Sequence, residues 1–223
     1  LLAKGHRQPH FHELAAMARR QGVPLEAVPR EQLDRLSRTR GHQGIIAIAA
    51  ELGYVELDEV VSRSSRPFLV ALDELQDPQN LGAILRSADA AGIDAVICTS
   101  RRSAGLSPGT LKAAAGAAEH VPVVRAGNLA RTLGTLKQRG LWVVGADPTA
   151  DRVYWDADLS LPLVLVIGGE HRGLRRLTRE NCDYLVRIPM VGKLNSLNAA
   201  AAAAILMFEA HRQRRGSPPL ACP

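Results

Sequence analysis

Apolar residues along this chain fall into short unbroken runs, separated by stretches in which they recur every three or four positions. From Pro67 onward the runs Phe68 to Leu72, Ala95 to Cys98, Pro122 to Val124, Leu141 to Ala146, Leu163 to Ile167 and Tyr184 to Ile188 predict strands. Between them, Leu81 to Ala91, Ser107 to Ala118, Leu129 to Arg139, Leu174 to Asn181 and Leu197 to Arg212 predict helices. Strands with no polar alternation are buried on both faces, so the pattern predicts an α/β fold with a helix-covered parallel sheet. Ligands of such sheets sit beyond the carboxyl ends of the strands, which makes the residues just after each strand the informative ones.

Residues 1 to 52 read as a separate small α/β unit. Phe11, Leu14, Ala15 and Ala18 share one helical face before Gly22, and Val23-Pro24-Leu25 suits a short strand. Arg30 to Arg38 predicts a second helix with Leu33 and Leu36 inward, followed by the turn Gly41-His42-Gln43-Gly44 and a strand Ile45 to Ile48. The charged, serine-containing residues 53 to 66 mark a link. The alternating strand-and-helix pattern then runs over 67 to 213, with 214 to 223 as a tail.

Three stretches carry candidate chemistry. In the first, Asn80 to Arg86, the buried stripe of Leu81, Ile84, Leu85 and Ala88 turns Arg86 away from the core. That position suits a solvated arginine as well as a functional one, and Asn80 suits an N-cap. In the second, the run Leu163 to Ile167 enters Gly168-Gly169-Glu170-His171-Arg172-Gly173, where two glycines let a ligand approach the backbone. Arg175, Arg176 and Arg179 follow, as a solvated face or as phosphate contacts. In the third, Asn195-Ser196-Leu197-Asn198 opens a helix and turns side-chain oxygens and free N–H groups to one spot. The residues Ala199 to Phe208 lack a polar stripe, so this helix needs cover on all sides. A homodimer packed through it would supply that cover.

Composition narrows the partners. A chain of 223 residues with 46% hydrophobic content buries a core in one or two domains, and none of its apolar runs reaches membrane-spanning length. Leu1 to Gly5 reads as a strand entered partway, with no signal peptide, so upstream sequence is expected. Cys98, Cys182 and Cys222 give neither a disulfide framework nor metal-ligand spacing, and a reducing cytoplasm is expected. His6, His10, His12 and His42 have neither an HExxH pattern nor cysteine partners, so no metal is expected and they read as exposed or RNA-facing. The formal charge is +6, spread over both units, which suits a polyanion without establishing one. Aromatic residues are only 4%, so RNA contacts would use phosphate and shape more than stacking.

One competing motif, Gly105-Leu106-Ser107-Pro108-Gly109, matches the G-x-S-x-G elbow of serine hydrolases, with Asp147 and His171 following in order. Ser107 lies too far past its strand, however, and Pro108 removes the N–H an oxyanion hole needs. A helix cap is the better reading of Ser107.

The ordered set NLGAILRSADAAG, VIGGEHRGL and RIPM followed by NSLNAAAA resembles the three motifs of the SpoU/TrmH group of SPOUT RNA methyltransferases, over residues 67 to 213. Residues 1 to 52 resemble the ribosomal-protein-like substrate-binding domain of that group, entered late, and the large-subunit rRNA enzymes are the nearest likeness. The resemblance implies a carboxyl-terminal trefoil knot that binds S-adenosylmethionine, with Gly168, Ile188 and Leu197 lining the cofactor site and Gly145 a weaker candidate. It places the catalytic arginine at Arg86 and the supporting polar residues at Asn80, Glu170, Ser196 and Asn198. The expected reaction methylates a ribose 2'-hydroxyl of RNA, ribosomal RNA ahead of transfer RNA, with a non-catalytic RNA-binding member as the remaining alternative. Gly169-Glu170-His171-Arg172 departs from the group's usual Ala-Glu-Gly, as does Lys193-Leu194-Asn195 before Ser196, and substrate contacts are expected to differ there.

Overall fold

A computed structural model describes residues 1–4, 9–37, 42–48, 52–170 and 172–216. The chain forms two compact units, Leu1–Glu51 and Leu52–Pro223.

In the first unit, β1 (Leu2–Ala3) pairs in parallel with β2 (Ala27–Val28) around helices α1 (Pro9–Arg20) and α2 (Arg30–Leu36). Its small core is Ala3, Val28 and Leu33. Several expectations fail here. The strand lies at Ala27–Val28, beyond Val23-Pro24-Leu25, because Pro24 has no N–H to give a ladder. Ile45 makes only an isolated bridge to Leu2, so the strand Ile45 to Ile48 does not form. Leu14 and Leu36 are exposed, since a two-stranded sheet offers too little surface to cover them. The His42 side chain is turned inward, against the exposed reading, with Nε2 2.9 Å from Asp34 and Nδ1 accepting from the Gly44 N–H. His6, His171 and Cys222 lie outside the described residues.

In the second unit, residues 53–66 are more than a link. They carry α3 (Leu57–Ser62), whose Val60 is buried in the core on one face of the sheet. The remaining elements are β3 (Phe68–Asp73), α4 (Pro78–Ala91), β4 (Ala95–Thr99), α5 (Pro108–Ala114), β5 (Val123–Ala126), α6 (Leu129–Gln138), β6 (Trp142–Ala146), β7 (Leu163–Gly168), α7 (Arg176–Asn181), β8 (Tyr184–Val186) and α8 (Ala199–Gly216). All pairings in the sheet are parallel, in the order β5-β4-β3-β7-β6-β8. Successive strand residues alternate between two buried faces. Val70, Leu72, Val96 and Leu165 meet α4, α5 and α8, whereas Leu69, Ala71, Ile97 and Val164 meet α3 and α6. Gly82 lets α4 and α5 pack tightly, because a Cβ there would lie 2.4 Å from the Cβ of Ala113.

The strand order reverses between β3 and β7. The chain builds outward from β3 through β4 to β5, crosses over to place β6, then inserts β7 between β3 and β6. A crevice opens beyond the carboxyl ends at such a reversal.

Candidate active site

The crevice is built from the ends of β3 and β7, where Asp73 and Gly168 stand in register. Asp73 is buried, and the chain beyond β7 returns to satisfy it. The backbone N–H of Arg175 donates to Asp73 Oδ2 at 2.8 Å, its Nε donates to Oδ1 at 2.6 Å, and its Nη1 reaches Glu74 at 3.1 Å. A buried carboxylate without such donors would carry a large desolvation penalty. The returning segment passes so close to Gly168 that a Cβ would lie 2.2 Å from the Gly173 carbonyl carbon. At Gly168 the missing side chain makes room for the chain's own backbone.

A polar relay stands beside this crossing. Asn198 Nδ2 donates to Asn80 Oδ1, and Asn80 Nδ2 donates to Glu170 Oε1, each at 2.8 Å. Both ends of the Asn80 amide are thereby used, which joins the first turn of α4, the loop after β7 and the start of α8. Burial of Glu170 opposes its ionisation. The Asn80 amide and the backbone N–H groups of Glu170, Gln76 and Asp77 outweigh that and hold its carboxyl below the usual range. Asn80 is not the N-cap of α4. Asp77 takes that place, accepting from Gln79 N at 2.9 Å with Pro78 in the first turn, and so frees Asn80 for the relay. Likewise α8 opens at Asn198 and not at Asn195. The Asn198 Oδ1 accepts from the Ala200 and Ala201 N–H groups, which are therefore not available to an anion.

A cavity of about 500 Å³ lies beyond the ends of β6, β7 and β8. Ala146, Ile167, Val186, Ile188, Met190 and Leu197 give it apolar walls, and Glu170, Ser196 and Arg179 give it polar ones. Arg179 is held by Asp147 at 2.6 Å, and the Asp147 Oδ1 accepts from the Thr149 N–H and hydroxyl. Gly168, Ile188, Leu197, Glu170 and Ser196 thus line one space, with Asn80 and Asn198 joined to it through Glu170. Gly145 does not line it. Its missing side chain faces Leu174, Cys182 and Leu185, which fill the space a Cβ would take. Arg86 is exposed on the outer face of α4 and lines neither this cavity nor its neighbours along the sheet edge.

The sequence did not single out Asp73, although it directly follows a predicted strand, nor the Asp147–Arg179 pair. The cavity suits a ligand with both an apolar and a polar part. The hydrolase arrangement does not form: the Ser107 hydroxyl caps α5, accepting from the Thr110 N–H at 3.3 Å, and Asp147 is engaged with Arg179.

Residues 67–208 match the SpoU rRNA Methylase family, and residues 1–55 match RNA 2'-O ribose methyltransferase substrate binding. The 23S rRNA (guanosine-2'-O-)-methyltransferase RlmB of Pseudomonas aeruginosa is 46% identical over 217 residues, covering 96% of this chain and 87% of that one. RlmB of Shewanella oneidensis is 43% identical over 217 residues, covering 96% and 88%. The crystal structure of the SpoU methyltransferase AviRb from Streptomyces viridochromogenes, in complex with the cofactor AdoMet, superposes with a TM-score of 0.78 at 28% identity over 97% of this chain and 82% of that one.

Proposed function

The chain belongs to the SpoU rRNA methylase family and is an S-adenosylmethionine-dependent RNA ribose 2'-O-methyltransferase; from that premise we propose that it acts on 23S rRNA, as a homodimer in the cytoplasm. The observation that carries this reading is the meeting of the 500 Å³ cavity with the Asn198–Asn80–Glu170 relay. The cavity fits the cofactor by its chemistry: Ile188, Leu197 and Met190 would enclose the adenine, and the Asp147 region and Ser196 would meet its polar parts. When bound, S-adenosylmethionine supplies an electrophilic methyl group. The threading of β7 between β3 and β6, with residues 173–174 crossing Gly168, supports a trefoil knot over this segment.

A neutral ribose hydroxyl is a poor nucleophile, so the site needs a cation where alkoxide charge develops. A guanidinium stays protonated and is a poor base, which makes Arg86 a clamp for the adjacent phosphate and the reacting oxygen. Within one protomer Arg86 is exposed and does not line the cavity. It shares the α4 and α8 side of the unit with Ile205 and Phe208 of α8, which are large apolar residues left exposed. A symmetric copy seated there would cover both and bring Arg86 to its partner's cavity.

Methyl transfer from radiolabelled S-adenosylmethionine to a 23S rRNA transcript, followed by mapping of 2'-O-methyl positions, tests the reading. One modified ribose in 23S rRNA is expected. Modification of bulk tRNA alone would replace the substrate, and failure to bind the cofactor in calorimetry would leave a non-catalytic RNA binder.

A further inference from the structure

A second cavity, of about 580 Å³, lies at the same carboxyl edge of the sheet but over β4 and β5, away from the proposed cofactor site. Arg101, Arg102, Arg175 and Arg176 line it, and among the described residues Glu74 is the one carboxylate in its wall. Asp73 and Glu74 hold Arg175 rigidly, so it serves as a fixed wall. Arg102 is 3.9 Å from Glu74 and 72% exposed, and Arg176 pairs with Glu180 in its own helix. Charge is therefore left over for a ligand. A second observation points the same way. Thr178 is 1% exposed and lines this cavity, and its hydroxyl is buried with no hydrogen-bond partner among the described residues. A buried hydroxyl left unpaired is destabilising, unless a ligand completes it.

The two cavities are linked. A third space of about 490 Å³ shares Glu170, Arg172 and Gly173 with the cofactor cavity, and shares Glu74, Arg102 and Arg175 with the arginine-lined one. One furrow thus runs along the carboxyl edge of the sheet from the cofactor cavity to the opening of α6. A single RNA strand whose reacting ribose sits at the relay can follow it.

We propose that the arginine-lined cavity is a phosphodiester subsite for the substrate RNA, holding a flanking nucleotide on the far side of Arg175 from the methyl-transfer site. This rests on the RNA methyltransferase reading above. Arg101 and Arg176 bind backbone phosphate, the Thr178 hydroxyl donates to a phosphate or ribose oxygen, and Leu177, 55% exposed, gives the base one apolar face. Phosphate contacts position a strand without reading its sequence, so the subsite raises affinity for any single strand entering the furrow.

The test titrates a fluorescein-labelled uridine dodecamer with the full chain across a salt series, for wild type, the double variant Arg101→Gln/Arg176→Gln and a control, Arg63→Gln/Arg139→Gln. The control removes the same charge at the opposite edge of the sheet. The slope of log affinity against log salt should fall by about 0.7 for each phosphate that the first variant no longer neutralises, and stay unchanged in the control. In methyl transfer the first variant should raise KM for RNA at least about tenfold while keeping kcat and cofactor affinity. Thr178→Val should bind the dodecamer more weakly yet melt no lower than wild type. An unchanged salt slope in the first variant, or an equal loss in the control, overturns the subsite. A wild-type chain that transfers no methyl group yet shows the selective slope loss keeps the subsite and overturns only the reading beneath it.

Discussion

Asn80 and Glu170, ninety positions apart, share a 2.8 Å hydrogen bond in which the Asn80 amide donates to the carboxylate while its own carbonyl accepts from Asn198. Asn80 is buried, so removing it strands an acceptor on one side and a donor on the other. Asn80→Ala is expected to lower stability by about 1–3 kcal/mol and to reduce methyl transfer more than cofactor binding. Asn80→Asp should be worse, since two carboxylates would then face each other. Urea denaturation together with single-turnover kinetics checks both.

The lowered pKa of Glu170 fixes a pH signature. Its carboxyl is more acidic in the folded chain than in the unfolded one. The resulting stabilisation is fully present above the ordinary carboxylate range and is lost as pH falls through the lowered value. The gap in melting temperature between wild type and Glu170→Gln should therefore hold constant from about pH 6 to 8 and close below about pH 4.3. A gap that widens on acidification would assign Glu170 the opposite shift.

Gly168 tolerates no side chain. The atoms that a Cβ would meet all belong to the backbone of Gly173 and Leu174, which cannot swing aside as a side-chain tip does. Gly168→Ala should lower stability by about 3 kcal/mol and abolish calorimetric binding of S-adenosylmethionine. Gly53→Ala, with open space around it, should stay within about 0.5 kcal/mol of wild type.

How far each feature was legible in the sequence follows from its range. The strands Phe68–Asp73 and Leu163–Gly168 were readable because burial on both faces writes itself as an unbroken apolar run. The starts of α4 and α8 were misplaced because capping is decided by one side chain, and Asp77 and Asn198 competed with plausible neighbours, whereas the start of α6 at Leu129 was legible. The first unit was read least well, since two-residue strands leave no period to detect. Family motifs brought Glu170, Ser196, Ile188 and Leu197 to one cavity. They could not reveal that Gly168 yields to its own chain, or that Asp73 meets Arg175, because neither contact has a local signature.

That last pair should behave as a unit. The Asp73 carboxylate is fully buried and accepts both the Nε–H and the backbone N–H of Arg175, of which a side-chain substitution removes only the first. Arg175→Ala and Asp73→Asn should each destabilise the chain, and the double variant should lose less than their sum by more than about 1 kcal/mol. Additive losses in thermal melts would mean that the pair does not tie β3 to the segment after β7.

The placement of Arg86 outside its own cavity leads to a complementation experiment. If the arginine serves the partner's site, a homodimer of Arg86→Ala chains and a homodimer of Ser196→Ala chains are both impaired. A hybrid dimer nevertheless contains one intact site, formed by Ser196 of the first chain and Arg86 of the second. Unfolding and refolding an equal mixture should then restore about one quarter of wild-type methyl transfer, because half the dimers are hybrids and half their sites are whole. Mixing without subunit exchange should restore nothing. If Arg86 instead acted within its own chain, the hybrid would hold one site lacking arginine and one lacking serine, and refolding would bring no recovery at all.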